Sequence, residues 1–205
     1  MISNTDTTNN SQIQAIILTG GQGSRLGGQD KGLIEVNGKR LIDYACDSIK
    51  EQVSHIIISA NRHQDIYRQS GFDVIEDSIA DYAGPLAGIL SALQYIKKNE
   101  LLFCCPVDMP VLPDHIVSDL YEQLLSQQAD ICCVQTDDRL QPLIALMHQR
   151  VVTDLFAYLQ SGQRKVMDWI NQQKLCTCIV DGNELQMINI NHEQDLQDFI
   201  KNQKS

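Results

Sequence analysis

The feature that most constrains this chain is a series of short apolar runs with no polar face. AIILT (15–19), HIIISA (55–60), LLFCC (101–105) and DICCVQ (130–135) are hydrophobic at consecutive positions, where a half-exposed strand would alternate. Such strands are stable when helices cover both faces of their sheet, which is the situation of a largely parallel sheet. DVIE (73–76), LIALM (143–147) and CTCIV (176–180) extend the series to seven. Between them, Leu86, Ile89, Leu90, Leu93 and Ile96 share one face of a helix. So do Ile116, Val117, Leu120 and Leu124, with Asp114 as candidate N-cap. The pattern predicts an α/β fold of three layers, with a doubly wound, mostly parallel sheet.

Asn37-Gly38, set between GLIEV and KRLI, predicts a two-residue β-hairpin ahead of a first helix near residues 42–52. No repeat or linker divides the chain, so residues 14–202 are expected to form a single domain after a polar tail of 13 residues. The first 14 residues have neither a basic start nor an apolar stretch, which argues against a signal peptide or membrane anchor.

Twenty-six acidic residues against sixteen basic ones give a net charge of −10. That surface disfavours nucleic acid and anionic membranes, because polyanions require basic stripes. Residues 19–40 run against the trend, with Arg25, Lys31, Lys39 and Arg40 opposing Asp30 and Glu35. The seven cysteines, an odd number with adjacent pairs inside apolar runs, are expected to be reduced core thiols of a cytoplasmic protein. None of the five histidines has H-E-x-x-H spacing and no G-x-S-x-G occurs, which excludes those zinc and serine hydrolase readings.

The segment LTGGQGSRLGGQDKG (18–32) follows the first apolar run and holds six glycines. Ligands of open α/β sheets bind beyond the carboxyl ends of strands, where glycines let backbone N–H groups approach phosphate oxygens. A phosphate cradle is the natural reading, and a flexible surface loop the plain alternative. It is neither a Walker loop nor a dinucleotide fingerprint, since Gly21-x-Gly23 is followed by Leu26 where a third glycine is required.

A buried strand ending in this glycine-rich segment, with Lys31 near the second glycine group, resembles the signature of nucleotidyltransferases. GGQDKGLIEVNGK, ISANRHQDIY, VIEDSIADYAGPLAG, PVDMP and NIN, in that order, narrow the likeness to the molybdenum cofactor guanylyltransferases over residues 15 to about 196. The resemblance implies a Rossmann-like nucleotidyltransferase fold and transfer of GMP from GTP to the phosphate of Mo-molybdopterin, with pyrophosphate released and Mg²⁺ as cofactor. Proteins that deliver the cofactor or mature molybdoenzymes are the implied partners.

By the same resemblance, Leu18, Thr19, Gly20 and Gly21 wrap the triphosphate, Lys31 neutralises it, and Arg25 stabilises the departing pyrophosphate. Asp108, at a strand end, is the expected metal ligand, because Mg²⁺ takes one or two carboxylates together with phosphate oxygens and retained waters. Guanine offers two adjacent donors that one carboxylate accepts together, a role that fits Asp77. Ser59 stands where the family has Asn, and Asn61 is retained. Asp81, Gly84, Gly88, Arg164, Lys165, Asn189 and Asn191 are implied on the acceptor side. Each has a plainer alternative: Arg25, Arg164 and Lys165 as surface charges, Lys31 as partner of Asp30 or Glu35, Asp108 as a turn cap, Asp77 and Asp81 as part of an acidic loop. A cytidylyl- or sugar-phosphate nucleotidyltransferase and a nonenzymatic nucleotide-binding module are the rival functions.

Overall fold

The computed structural model describes residues 12–20, 30–79, 84–136, 139–181 and 189–202. All seven apolar runs are strands of one sheet: β1 (Ile13–Leu18), β4 (His55–Ser59), β5 (Asp73–Ile75), β6 (Leu101–Pro106), β7 (Ile131–Thr136), β8 (Arg139–His148) and β9 (Leu175–Ile179), in the order β5-β4-β1-β6-β8-β7-β9. β8 runs antiparallel to β6 and β7; the remaining pairings are parallel. β8 is twice as long as LIALM because its polar first half pairs with the end of β7 past a bulge at Cys133/Val134.

Both faces of the sheet are covered. Ile13, Ala15, Ile17, Phe103 and Cys132 pack against α1 (Leu41–Ile49) and α4 (Ile116–Ser126). The alternate residues Ile16, Leu18, Cys104, Cys133 and Met147 pack against α3 (Pro85–Tyr95), α5 (Val152–Gln160) and α6 (Val166–Ile170). The adjacent cysteines thus send one small apolar side chain to each face. All seven cysteines are free, and burial pushes the thiols up, that of Cys133 to about 12.

The hairpin forms as expected, with β2 (Glu35–Val36) and β3 (Lys39–Arg40) joined by Asn37 and Gly38, both at positive φ as a type I′ turn requires. Arg40 ties it to the segment after α2 (Gln64–Tyr67), donating to Ile66 O at 2.9 Å and to Ser70 Oγ at 3.0 Å. A third, smaller core joins Val36 and Leu41 to Ile190 and to Phe199 of the last helix, α7 (Glu193–Asn202).

One capping expectation is corrected. His115, not Asp114, holds the N-cap position of α4, and its side chain does not cap the helix. The helix start is satisfied from a distance: buried Gln52 accepts the Val117 N–H at 3.1 Å and donates to Pro113 O at 2.9 Å.

Gly88 lies within α3 where a Cβ would meet Ser59 Oγ at 2.6 Å and Leu18 Cδ2 at 2.9 Å. Gly88→Ala should therefore lower the free energy of unfolding by about 1–3 kcal/mol, measured by urea denaturation, through overpacking under the carboxyl ends of β1 and β4.

Candidate functional site

Ile75, Ser59, Leu18 and Pro106 are paired in one row across the carboxyl ends of β5, β4, β1 and β6. Backbone bonds extend the row by one residue: Ala60 N–H to Ile75 O, Thr19 N–H to Ser59 O and Val107 N–H to Leu18 O, at 3.0, 3.2 and 3.0 Å. Asp77, Asn61, Thr19 and Asp108 therefore leave the sheet side by side, although up to 89 residues separate them in the chain.

Lys31, in a short 3-10 turn (Lys31–Leu33), reaches Asp108 Oδ2 at 3.4 Å and Asn191 Oδ1 at 3.0 Å. It pairs with neither of its sequence neighbours Asp30 and Glu35, since Asp30 accepts the Tyr67 hydroxyl. The Lys31 and Asp108 side chains are 20% and 25% exposed. Such a pair adds about 1 kcal/mol or less to the fold, so its significance lies in where it holds charge. Asn191 Nδ2 donates to Asn189 Oδ1 at 2.7 Å, which orients the Asn191 oxygen toward Lys31. The segment is docked by Ile190 N–H to Asp108 O at 2.8 Å, with the Ile190 side chain buried in the third core. From α7, Asp195 Oδ2 accepts the N–H groups of Asn191 and His192 at 2.9 and 2.8 Å, and these bonds hold its carboxyl below the usual carboxylate range.

The donor set here is one carboxylate with amide oxygens beside it. Among the described residues no three His, Cys, Asp or Glu side chains form a metal cage of their own. A hard cation at Asp108 would draw its other ligands from water and a bound phosphate, which is how Mg²⁺ is commonly held.

On the other side of Thr19, Asp77 accepts from Asn61 Nδ2 at 2.7 Å and from Ser59 Oγ at 3.4 Å, while its own N–H donates to Asn61 Oδ1 at 2.9 Å. Burial raises its pKa against the opposing pull of these bonds. The two bonds that the carboxylate accepts, from Asn61 and Ser59, hold it in one orientation, and the backbone bond to Asn61 fixes its stem.

Leu18, Thr19, Lys31, Ser59, Asn61, Asp77, Asp108, Asn189 and Asn191 thus converge on one end of the sheet, with Gly20 continuing from Thr19. Gly21, Arg25 and Asp81 lie outside the described residues. Gly84 is the N-cap of α3 at φ 71, and Gly88 is buried within that helix beneath Ser59. Arg164 donates to Leu159 O and Gln163 O at the end of α5, and Lys165 is 83% exposed near Asp168. No described contact joins these two cations to the Lys31 cluster.

Sequence reasoning missed Tyr67 and Asp195. Asp195 carried a signal, a carboxylate three residues after the helix cap position of His192. Tyr67 carried none, because its partners are distant in sequence.

Residues 15–176 match the model of the MobA-like NTP transferase domain. The molybdenum cofactor guanylyltransferase of Yersinia pestis strain Pestoides F is 44% identical over 166 residues, covering 80% of this chain and 84% of that protein. Molybdopterin-guanine dinucleotide biosynthesis protein A from Archaeoglobus fulgidus has the same fold at 20% identity, with a TM-score of 0.77 over 93% of this chain and 98% of that one. So has 4-diphosphocytidyl-2C-methyl-D-erythritol synthase from Anaerococcus prevotii, at 13% identity and a TM-score of 0.70, over 96% and 97% of the two chains.

Asp195→Ala should lower the protection factors of the Asn191 and His192 amides, measured by hydrogen exchange and corrected for the intrinsic rate at each pH, while leaving strand amides such as Ile57 unchanged, and acidifying the parent protein should lower the same two protection factors. A carboxyl held below its usual pKa keeps its contribution at neutral pH and loses it as pH falls through that depressed value.

Proposed function

The chain belongs to the MobA-like NTP transferases, among the molybdenum cofactor guanylyltransferases, and on that premise we propose that Lys31, Asp77 and Asp108 carry its transfer of GMP from GTP to the phosphate of Mo-molybdopterin. Pyrophosphate leaves and the guanine dinucleotide form of the cofactor results. The observation that carries the residue assignment is the convergence of Lys31, Asp108 and Asn191 at the mouth of the glycine-rich segment.

The acceptor phosphate is already an anionic nucleophile at neutral pH, so no strong general base is needed and positioning does most of the work. Leu18, Thr19, Gly20 and Gly21 offer backbone to the triphosphate. Lys31 and Arg25 balance its charge, Arg25 on the side of the departing pyrophosphate. Mg²⁺, the proposed divalent metal, would be held by Asp108 with Asn189 and Asn191 nearby, and when bound it supplies charge neutralisation at the phosphates. Asp77, steadied by Ser59 and Asn61, accepts the paired guanine donors. Asp81, Gly84, Arg164 and Lys165 are left to the acceptor. The proposed setting is the cytoplasm, with delivery and maturation proteins as partners; the seven free thiols support that setting. No described helix is long and apolar enough to cross a membrane.

With GTP, Mg²⁺ and Mo-molybdopterin, Asp108→Ala should reduce pyrophosphate release by about 100-fold or more. Turnover at the parent rate would overturn the metal role. Thermal stabilisation with Mg²⁺ should be largest for GTP; stabilisation by CTP or UTP and not by GTP would favour the cytidylyl or sugar-phosphate reading.

Asp77 adds a pH dependence. Its raised pKa means that the carboxylate is lost, as pH falls, before an exposed aspartate would be protonated. GTP affinity should weaken along that acid limb. Asp77→Asn should weaken it by about 10-fold or more at neutral pH and remove the limb, as read by titration calorimetry.

A further inference from the structure

We propose that Tyr67 is a positioning residue that holds Asp30 and Gly32, the two neighbours of Lys31, and thereby sets Lys31 toward the nucleotide. The Tyr67 side chain is fully buried and its hydroxyl donates to Asp30 Oδ1, immediately before Lys31. Immediately after Lys31, a Cβ on Gly32 would stand 2.4 Å from the same hydroxyl and 3.0 Å from the ring. The backbone therefore passes close against the hydroxyl end of the ring, and both neighbours of Lys31 meet one side chain. The Thr19 hydroxyl lies beside the Tyr67 hydroxyl as well, and Thr19 is bonded to Ser59 O through both its N–H and its Oγ1. One phenol thus meets both Thr19 and Asp30.

Tyr67 is itself immobilised. Its N–H donates to His63 O at 3.2 Å, and Arg40 bonds the preceding residue, Ile66, and Ser70 three positions on. Holding Asp30 and Gly32 leaves less conformational freedom to be lost at Lys31 on each nucleotide encounter. With its neighbours fixed, Lys31 has its ammonium already 3.4 Å from Asp108 and 3.0 Å from Asn191.

The test uses the full chain with Tyr67→Phe, which keeps the ring and removes the hydroxyl, beside Asp30→Ala and Asp30→Asn, the last of which keeps an acceptor. The amides of Leu33 and Ile34 bond within the turn, to Asp30 O and Lys31 O. Their hydrogen exchange should be about tenfold faster in Tyr67→Phe and Asp30→Ala and near the parent rate in Asp30→Asn, with Ile57 unchanged. The kinetic arm rests on the guanylyl-transfer reading. There, KM for GTP should rise about five- to tenfold while KM for Mo-molybdopterin stays within twofold, and the double variant Tyr67→Phe/Asp30→Ala should be no worse than either single one. Parent-like exchange in both single variants would overturn the proposal, as would equal rises in the two KM values. If Tyr67→Phe does not fold, Asp30→Ala decides. If the parent protein does not use GTP, the functional reading falls, and the exchange arm still judges the staple.

Discussion

A row of four residues, Ile75, Ser59, Leu18 and Pro106, crosses the sheet where its first four strands end, and everything chemical in the molecule is hung from it. Parallel pairing makes this row stiff, because slipping a strand by one residue would exchange the side chains packed against the helices on its two faces and break the fit of both. β1 is apolar on both faces and paired on both edges, so its register admits no compromise. Asp77, Asn61, Thr19 and Asp108 inherit their heights from that register. Local backbone need only choose their directions.

Charge is placed on this frame with restraint. A chain of net charge −10 would repel a triphosphate at long range. Yet its cation at the described part of the site is already flanked by a carboxylate and an amide oxygen. An ammonium so placed is neither fully neutralised, as a bidentate surface pair would make it, nor left to drift. Burial does similar work at Asp77, where partial desolvation would strengthen bonds to a base edge and the bonds from Asn61 and Ser59 keep the carboxylate from turning away.

Legibility in the sequence followed the range of the interaction. Strands apolar on both faces announce a covered sheet, and Asn37-Gly38 announces its turn, because each signal lies within a few residues. Asp114 looked like a cap by the same local logic, but the helix start is satisfied by Gln52, some sixty residues earlier. Gly84 and Gly88 carry the same implied role in the sequence, and yet Gly88 packs closely beneath Ser59. The fully buried Tyr67 was invisible, since nothing in DIYRQ says that a phenol must find an aspartate thirty-seven positions back. The motifs that carry the family resemblance marked which residues matter, and the tertiary contacts show which of them bear on one another.

The small third core has a consequence for how the molecule fails. Ile190, Phe199, Val36 and Leu41 form a patch separate from the two large clusters on the sheet. Both jaws of the site rest on that patch: the hairpin that follows Lys31 on one side, and the Asn189–Asn191 stretch leading into α7 on the other. The pincer and the frame that carries it therefore have different breaking points. Warming or mild denaturant would spring the jaws while the sheet stood intact, and the enzyme would lose its grip on substrate well before it lost its shape.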